Sequence, residues 1–280
     1  MYRNVLFSAT ALSLVLMTIP LTAGAALIVD RGLPNINLNN AAGSERSNVA
    51  WGSAGFENNP ITYGDDFRLP DTPKYYAWQI DRITTWAIAG TPDGSFALGN
   101  RYDEISLFLG LAGDEQGTEI PLVLNANLTG NTTDNDDVTI TPVTYADGSN
   151  YEVSSGNFLQ IWQIDWFNVG VFGAGQYMFG VNGVGVDDPI WFDHASNAAL
   201  SGTPQQDADN LYRDFDVLSN TLAFWDFIDS DGRGWDKSSD INIQVYGTTV
   251  YVPEPGSLAL FALGLGGLLV GLRRRGQLAA

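Results

Sequence analysis

The chain of 280 residues contains no cysteine and only one histidine. The first absence excludes thiol nucleophiles, cysteine-ligated zinc and any disulfide framework, so the fold must rest on its core. The second excludes multi-histidine metal centres and leaves His194 as the sole imidazole for a Ser-His-Asp relay. No Gly-x-Ser-x-Gly elbow, P-loop or Gly-x-Gly-x-x-Gly fingerprint accompanies it. His194 follows Trp191-Phe192-Asp193 and reads as the end of a strand with a satisfied hydrogen bond, not as a catalytic base. Basic residues are scarce as well: 13 Lys and Arg against 32 Asp and Glu give a formal charge of −19. Nucleic acids and anionic membrane surfaces repel such a chain.

Long apolar runs occur only at the two ends. Arg3 supplies a positive n-region, Val5 to Leu21 is almost wholly apolar, and Thr22-Ala23-Gly24-Ala25 provides the small residues that a signal peptidase needs. Residues 1–25 therefore read as a signal peptide whose helix is removed by cleavage after Ala25. At the other end, Ser257 to Leu272 carries no charge and Arg273-Arg274-Arg275 follows at once. A helix over residues 257–272 is about 24 Å long, short for a hydrocarbon core of about 30 Å. Bilayer thinning or snorkelling arginines would let it span, with the basic cluster on the cytoplasmic side and the rest of the chain outside. Both ends predict the same topology.

Residues 26–251 form the domain between them. Setting aside Arg3 and Arg273 to Arg275 leaves nine basic residues; setting aside Glu254 leaves 31 acids, so the domain carries −22. Helical periodicity is missing. Short β-rich runs recur instead, broken by clusters of Gly, Asn, Asp and Pro. Candidate strands are Ile61–Leu69, Tyr76–Ile88, Glu104–Leu111, Leu122–Leu128, Val138–Tyr145, Phe158–Asp165, Gln176–Val181, Pro189–Phe192, Thr221–Ile228 and Asp240–Tyr251. In the last of these, Ile241, Ile243 and Val245 alternate with Asn242 and Gln244, as in a half-buried strand. The pattern predicts an all-β fold of two packed antiparallel sheets, a β-sandwich or jelly roll. Ala195 to Asp214 is the least strand-like stretch and reads as a loop or short helix. Trp78-Gln79-Ile80-Asp81 recurs as Trp162-Gln163-Ile164-Asp165, which reads as two central strands meeting one core environment.

Three kinds of site remain open in the domain. Asp226, Asp229, Asp231 and Asp236, with Asp240 close behind, crowd a turning stretch that contains Gly232 and Gly234. Such a loop offers calcium several oxygens, so a structural calcium is the one cofactor the sequence suggests. The stretch is no EF-hand, since counting back from Gly232 puts Phe227 where the first aspartate belongs. Asp134, Asn135, Asp136 and Asp137 form a second acidic cluster, and Asp65-Asp66 offers a carboxylate pair for a cation at a sandwich edge. The eight tryptophans, all within the domain, could stack on sugar faces, Trp51 and Trp235 having the most open sequence surroundings. Glycoside hydrolysis needs only two carboxylates at a set separation, and the sequence does not single out a pair.

The end of the chain is the most specific segment. Val252-Pro253-Glu254-Pro255-Gly256-Ser257, then the apolar stretch and Arg273-Arg274-Arg275, resembles the PEP-CTERM sorting signal. That resemblance covers residues 252–280 and implies processing by an exosortase, in organisms that make exopolysaccharide. Two prolines hold the segment around Glu254 extended, the form in which a membrane enzyme can grip it. The domain also resembles β-sandwich domains found ahead of such tails, in Gly64-Asp65-Asp66-Phe67, Gly173 to Gly180, Trp191-Phe192 and Ser239 to Gly247. The resemblance implies an exported precursor held in the membrane, then a surface or extracellular protein, with exosortase and signal peptidase as partners. The reading is a non-enzymatic protein associated with exopolysaccharide; the alternatives are a lectin-like glycan-binding module and a secreted glycan-active enzyme.

Changing Pro253 and Glu254 to Ala should leave export and folding intact and block processing. Fractionation of a host that carries the sorting enzyme would then find full-length protein in the inner membrane and none released; equal trimming of both forms would reduce the motif to a linker.

Overall fold

The computed structural model describes residues 24–34, 48–54, 62–89, 97–111, 122–154, 157–185, 190–196, 210–213, 226–229 and 240–253. Among these the chain is all β apart from one 3-10 turn at Leu98–Asn100. The strands are β1 (Ala26–Asp30), β2 (Val49–Ala54), β3 (Tyr63–Leu69), β4 (Tyr76–Ala89) and β5 (Glu104–Leu111). Then come β6 (Leu122–Thr129), β7 (Thr132–Thr133), β8 (Val138–Val143), β9 (Tyr151–Ser154) and β10 (Asn157–Phe172). The chain closes with β11 (Gly175–Val184), β12 (Ile190–His194), β13 (Asn210–Arg213), β14 (Asp226–Asp229) and β15 (Ile243–Tyr251).

These strands make two antiparallel sheets. The first has eight strands along the path β1-β15-β4-β10-β8, with β12 and β2 continuing from β4 and β9 pairing with β10. The second has seven, in the order β14-β13-β3-β11-β5-β6-β7. Alternation along each strand sends one set of side chains between the sheets. Ile80, Ile83, Ala87, Trp162, Ile164, Trp166, Ile243 and Val245 come from the first sheet. They meet Phe67, Leu69, Ile105, Leu107, Leu109, Tyr177, Phe179 and Val181 from the second in one buried cluster. Fully burying each aliphatic or phenyl side chain contributes about 1.5–3 kcal/mol, which is how a cysteine-free fold holds. The repeated Trp-Gln-Ile-Asp tetrapeptides lie on β4 and β10, neighbours in the first sheet, and both isoleucines belong to this core.

The first sheet has a second covered face. Trp86, Ile88, Leu159 and Ile161 point away from the main core and pack with Val49, Tyr145 and Phe192 in a separate cluster. Strand β15 also departs from the half-buried strand expected of it. Ile243 and Val245 face the core as expected, yet Asn242 and Gln244 on the opposite face are buried too. A second correction concerns Ala195 to Asp214. Ala195 bridges to Ile241, and Asn210–Arg213 forms β13 between β3 and β14. The two terminal helices expected at residues 1–25 and 257–272 lie outside the described residues, except that Gly24 and Ala25 lead into β1.

Candidate functional site

The sorting segment begins where the sandwich ends. Strand β15 pairs with β4 as far as Tyr251 opposite Tyr76. One residue later, the Val252 N–H donates to the carbonyl of Tyr75 at 2.7 Å. Val252 and Pro253 are exposed. The Pro-Glu-Pro motif therefore starts with no spacer after a strand held in place by its neighbour. Glu254, Pro255 and the rest of the tail lie outside the described residues. Ala25, the expected cleavage site, is exposed directly ahead of β1.

Inside the domain, the residues brought together most closely surround Arg31, just after β1. Its guanidinium is fully buried and donates from Nη1 to Asp65 Oδ2 at 2.8 Å and to the carbonyl of Ile241 at 3.2 Å. Nη2 donates to the Asp66 carbonyl, and Nε lies 3.2 Å from Asp240 Oδ2. Asp65 also accepts from the backbone N–H of Ile241 and of Asp66, both at 2.7 Å. Asp66 accepts from the side chain of Gln176. Ser196 completes the join, with its hydroxyl on the Arg31 carbonyl at 2.5 Å and its N–H on the Asp240 carbonyl at 2.8 Å. Burial pushes the Asp65 carboxyl above its ordinary range, against the pull of Arg31 and the two backbone donors. Asp65-Asp66 is therefore no cation site at a sandwich edge: its positive partner is Arg31, deep in the fold.

The same cluster takes Asp240 out of the acidic stretch proposed for calcium. Asp226 and Asp229 bound β14, which pairs with β13, while Asp231 and Asp236 lie outside the described residues. In the second acidic cluster, Asp134 accepts from the N–H and the side chain of Asn127 at 2.8 and 2.7 Å. Those bonds hold its carboxyl below the ordinary range. Asp137 accepts from Asn168 at 2.6 Å. The first pair closes the hairpin between β6 and β7, and the second ties this loop to β10. Among the described residues no group of three or more His, Asp or Glu is arranged to hold a metal.

The aromatic candidates divide in the same way. Trp86, Trp162, Trp166 and Trp191 are buried, and each of the last three satisfies its indole N–H inside the protein. Trp78 is half-buried with its N–H on the Pro70 carbonyl at 2.8 Å. The Trp51 side chain, Trp225 and Trp235 lie outside the described residues. His194 is fully buried, its Nδ1–H donating to the Ala195 carbonyl at 2.6 Å and its Nε2 3.4 Å from the Tyr145 hydroxyl. Burial lowers its pKa to about 4, so the ring is neutral and structural. Arg31 had no signature in the sequence. Its partners Asp65, Asp66 and Asp240 lie 34 or more residues away, and nothing local distinguishes it from the other eight basic residues of the domain.

A two-sheet β-sandwich joined without a spacer to a tail of prolines, apolar residues and arginines is an exported cargo domain with its own address. Residues 252–275 match the PEP-CTERM protein-sorting motif. That motif marks the chain as an exported protein sorted by exosortase, made first as a membrane-anchored precursor. No match was found among curated proteins or among solved structures.

Two stability predictions follow from this geometry. Replacing Arg31 with Met should cost about 3–5 kcal/mol, because it leaves buried carboxylates without their cation; urea unfolding measures it. His194 should make the domain less stable as pH falls from about 6.5 toward 4, since the unfolded chain takes up a proton that the folded one refuses. The full effect is of order 3 kcal/mol, and a His194→Gln variant that retains the fold should show a flatter profile of unfolding midpoint against pH.

Proposed function

We propose that the mature chain is a non-enzymatic extracellular protein, displayed or released after sorting and associated with the exopolysaccharide matrix. The observation that carries this reading is the junction at Tyr251–Pro253, where the whole sandwich is presented as cargo by the sorting motif. Support comes from the interior. Four tryptophans pack the two cores, the sole histidine is neutral and buried, and three of the five buried aspartates among the described residues, Asp65, Asp66 and Asp240, surround Arg31. The acidic exterior keeps such a protein hydrated and apart in a dense polymer.

One observation favours the lectin-like alternative. On the outer face of the first sheet, the Arg82 guanidinium lies 3.9 Å from the centre of the Tyr246 ring. Beside them Asp165 accepts from Gln163 at 2.9 Å and from Thr84 at 2.5 Å. Asp165 and Thr84 are buried, and the part-exposed Gln163, Arg82 and Tyr246 over them offer amide, guanidinium and phenol groups, a chemistry that sugar hydroxyls meet well.

The test is binding of purified residues 26–252 to the host's own polysaccharide, with calcium and with chelator at matched ionic strength. Matrix association predicts retention by the whole polymer and no saturation by any single oligosaccharide. A lectin predicts saturable binding that Arg82→Ala abolishes, and release of reducing ends would defeat both. The calcium arm reads the expected site around Asp226 to Asp236, which should raise the melting temperature.

A further inference from the structure

Nine large hydrophobic side chains are exposed among the described residues, and they are not scattered evenly. Tyr76 opens β4, Tyr251 closes β15, Val171 lies near the end of β10 and Leu111 ends β5. The registers set these at one end of the sandwich: Tyr251 opposite Tyr76, Val171 opposite Gln79, and Leu111 opposite Tyr177. With Tyr75 and Val252, six of the nine gather where the chain leaves for its tail. Tyr251 is 57% exposed and meets Tyr76 edge-on, with ring centres 5.6 Å apart.

Tyr75 adds a second observation. Its φ is 70°, in the left-handed region where a bulky side chain is disfavoured and Gly or Asn would fit more cheaply. The residue is 39% exposed, with the Lys74 ammonium 4.4 Å from the centre of its ring. A tyrosine is thus held at a conformational cost at an exposed turn, beside two more tyrosines. Such cost calls for a role outside the fold.

The length of chain beyond this end identifies the occupant. From Val252 to Ser257, where the apolar stretch starts, a fully extended chain spans at most about 18 Å. The headgroup layer on each side of a bilayer is about 5–7 Å thick. While the tail is inserted, this end of the sandwich cannot move far from the lipid surface. Tyrosine is a side chain that settles there, with an apolar ring and a wet hydroxyl. Among the described residues at this turn, Arg68, Asp71 and Lys74 nearly balance in charge.

We propose that the Tyr75–Tyr76–Tyr251 end of the sandwich docks in the headgroup layer of the bilayer that holds the unprocessed precursor. The inference rests on the membrane-anchored precursor that the sorting motif implies. Docking places Pro253-Glu254-Pro255 at a fixed height on the lipid surface, and trimming of the tail releases the domain, because the rings alone are a weak anchor.

The absence of cysteine makes the test clean. A fluorophore is placed at Asp71→Cys or, at the opposite end of the sandwich, at Asn100→Cys in the full-length chain. The protein is reconstituted in phosphatidylcholine vesicles that carry a nitroxide on the headgroup. Docking predicts strong quenching at position 71, little at position 100, and loss of the first when Tyr75→Asn, Tyr76→Ser and Tyr251→Ser are combined. Equal quenching at both positions, or quenching that survives loss of the rings, overturns it. If the triple variant does not fold, Tyr75→Asn alone suffices, since Asn tolerates the same φ; it should fold and quench less, and unchanged quenching overturns the proposal. A chain that fails to float with the vesicles refutes the anchor; one that floats without quenching at position 71 refutes only the docking. Should the rings affect processing by added sorting enzyme but not quenching, the face contacts that enzyme and the lipid proposal falls.

Discussion

The burial of Arg31 is the constraint around which one end of this fold is built. Its guanidinium serves segments far apart in sequence: the chain after β1, the Asp65-Asp66 pair on β3, and Asp240-Ile241 ahead of β15. Since β1 and β15 belong to the first sheet and β3 to the second, one side chain ties both layers together. Only a planar fork with several fixed donors can do this; an ammonium could not reach as many acceptors at once. Three acids around one base leave an excess of buried negative charge, which backbone N–H groups and Gln176 offset. The arrangement specifies the join more than it stabilises it, because desolvation opposes the attraction of every buried pair.

The two ends of the sandwich are therefore chemically unlike. Near the start of β3, charge and hydrogen bonds close the layers. Near its end an aromatic contact does so, Tyr177 of the second sheet meeting Phe172 of the first edge-on while Phe67 stacks on Tyr177 from the neighbouring strand. Strands that begin in an ionic cluster finish among tyrosine rings. An antiparallel sandwich has no inherent up or down, so the distribution of side chains supplies one, and the tail leaves from the aromatic end.

Much of this was legible in the sequence. All ten runs read as strands overlap strands of the structure, because runs of Val, Ile, Leu and aromatic residues between turn residues carry a local signal. Strand β13 was not legible: Asn210-Leu211-Tyr212-Arg213 is half polar and is a strand only because β3 and β14 lie beside it. The half-buried appearance of β15 misled for a related reason, since Asn242 and Gln244 are buried and bond to residues distant in sequence, His194 and Asp30. Asp65-Asp66 carried a true signal, two acids in a β-rich run, but the identity of their counter-ion was a tertiary fact. Patterning reports what a residue needs; it does not say which distant residue supplies it.

The junction between domain and tail shows where local and tertiary information meet. The Pro-Glu-Pro motif is wholly local, and its prolines end any ladder because they lack the N–H that would continue it. The position of the motif relative to the fold is tertiary, fixed by the Tyr251–Tyr76 pair and the Val252 bond to Tyr75. A flexible spacer would let the motif wander over tens of ångströms. Here its freedom begins one residue after a strand that lies between β1 and β4 in the middle of a sheet. The reach of the enzyme site over the membrane is thus coupled to the integrity of the cargo. If β15 comes loose, the position of the motif is lost with it, and only a folded sandwich presents its tail at a defined place.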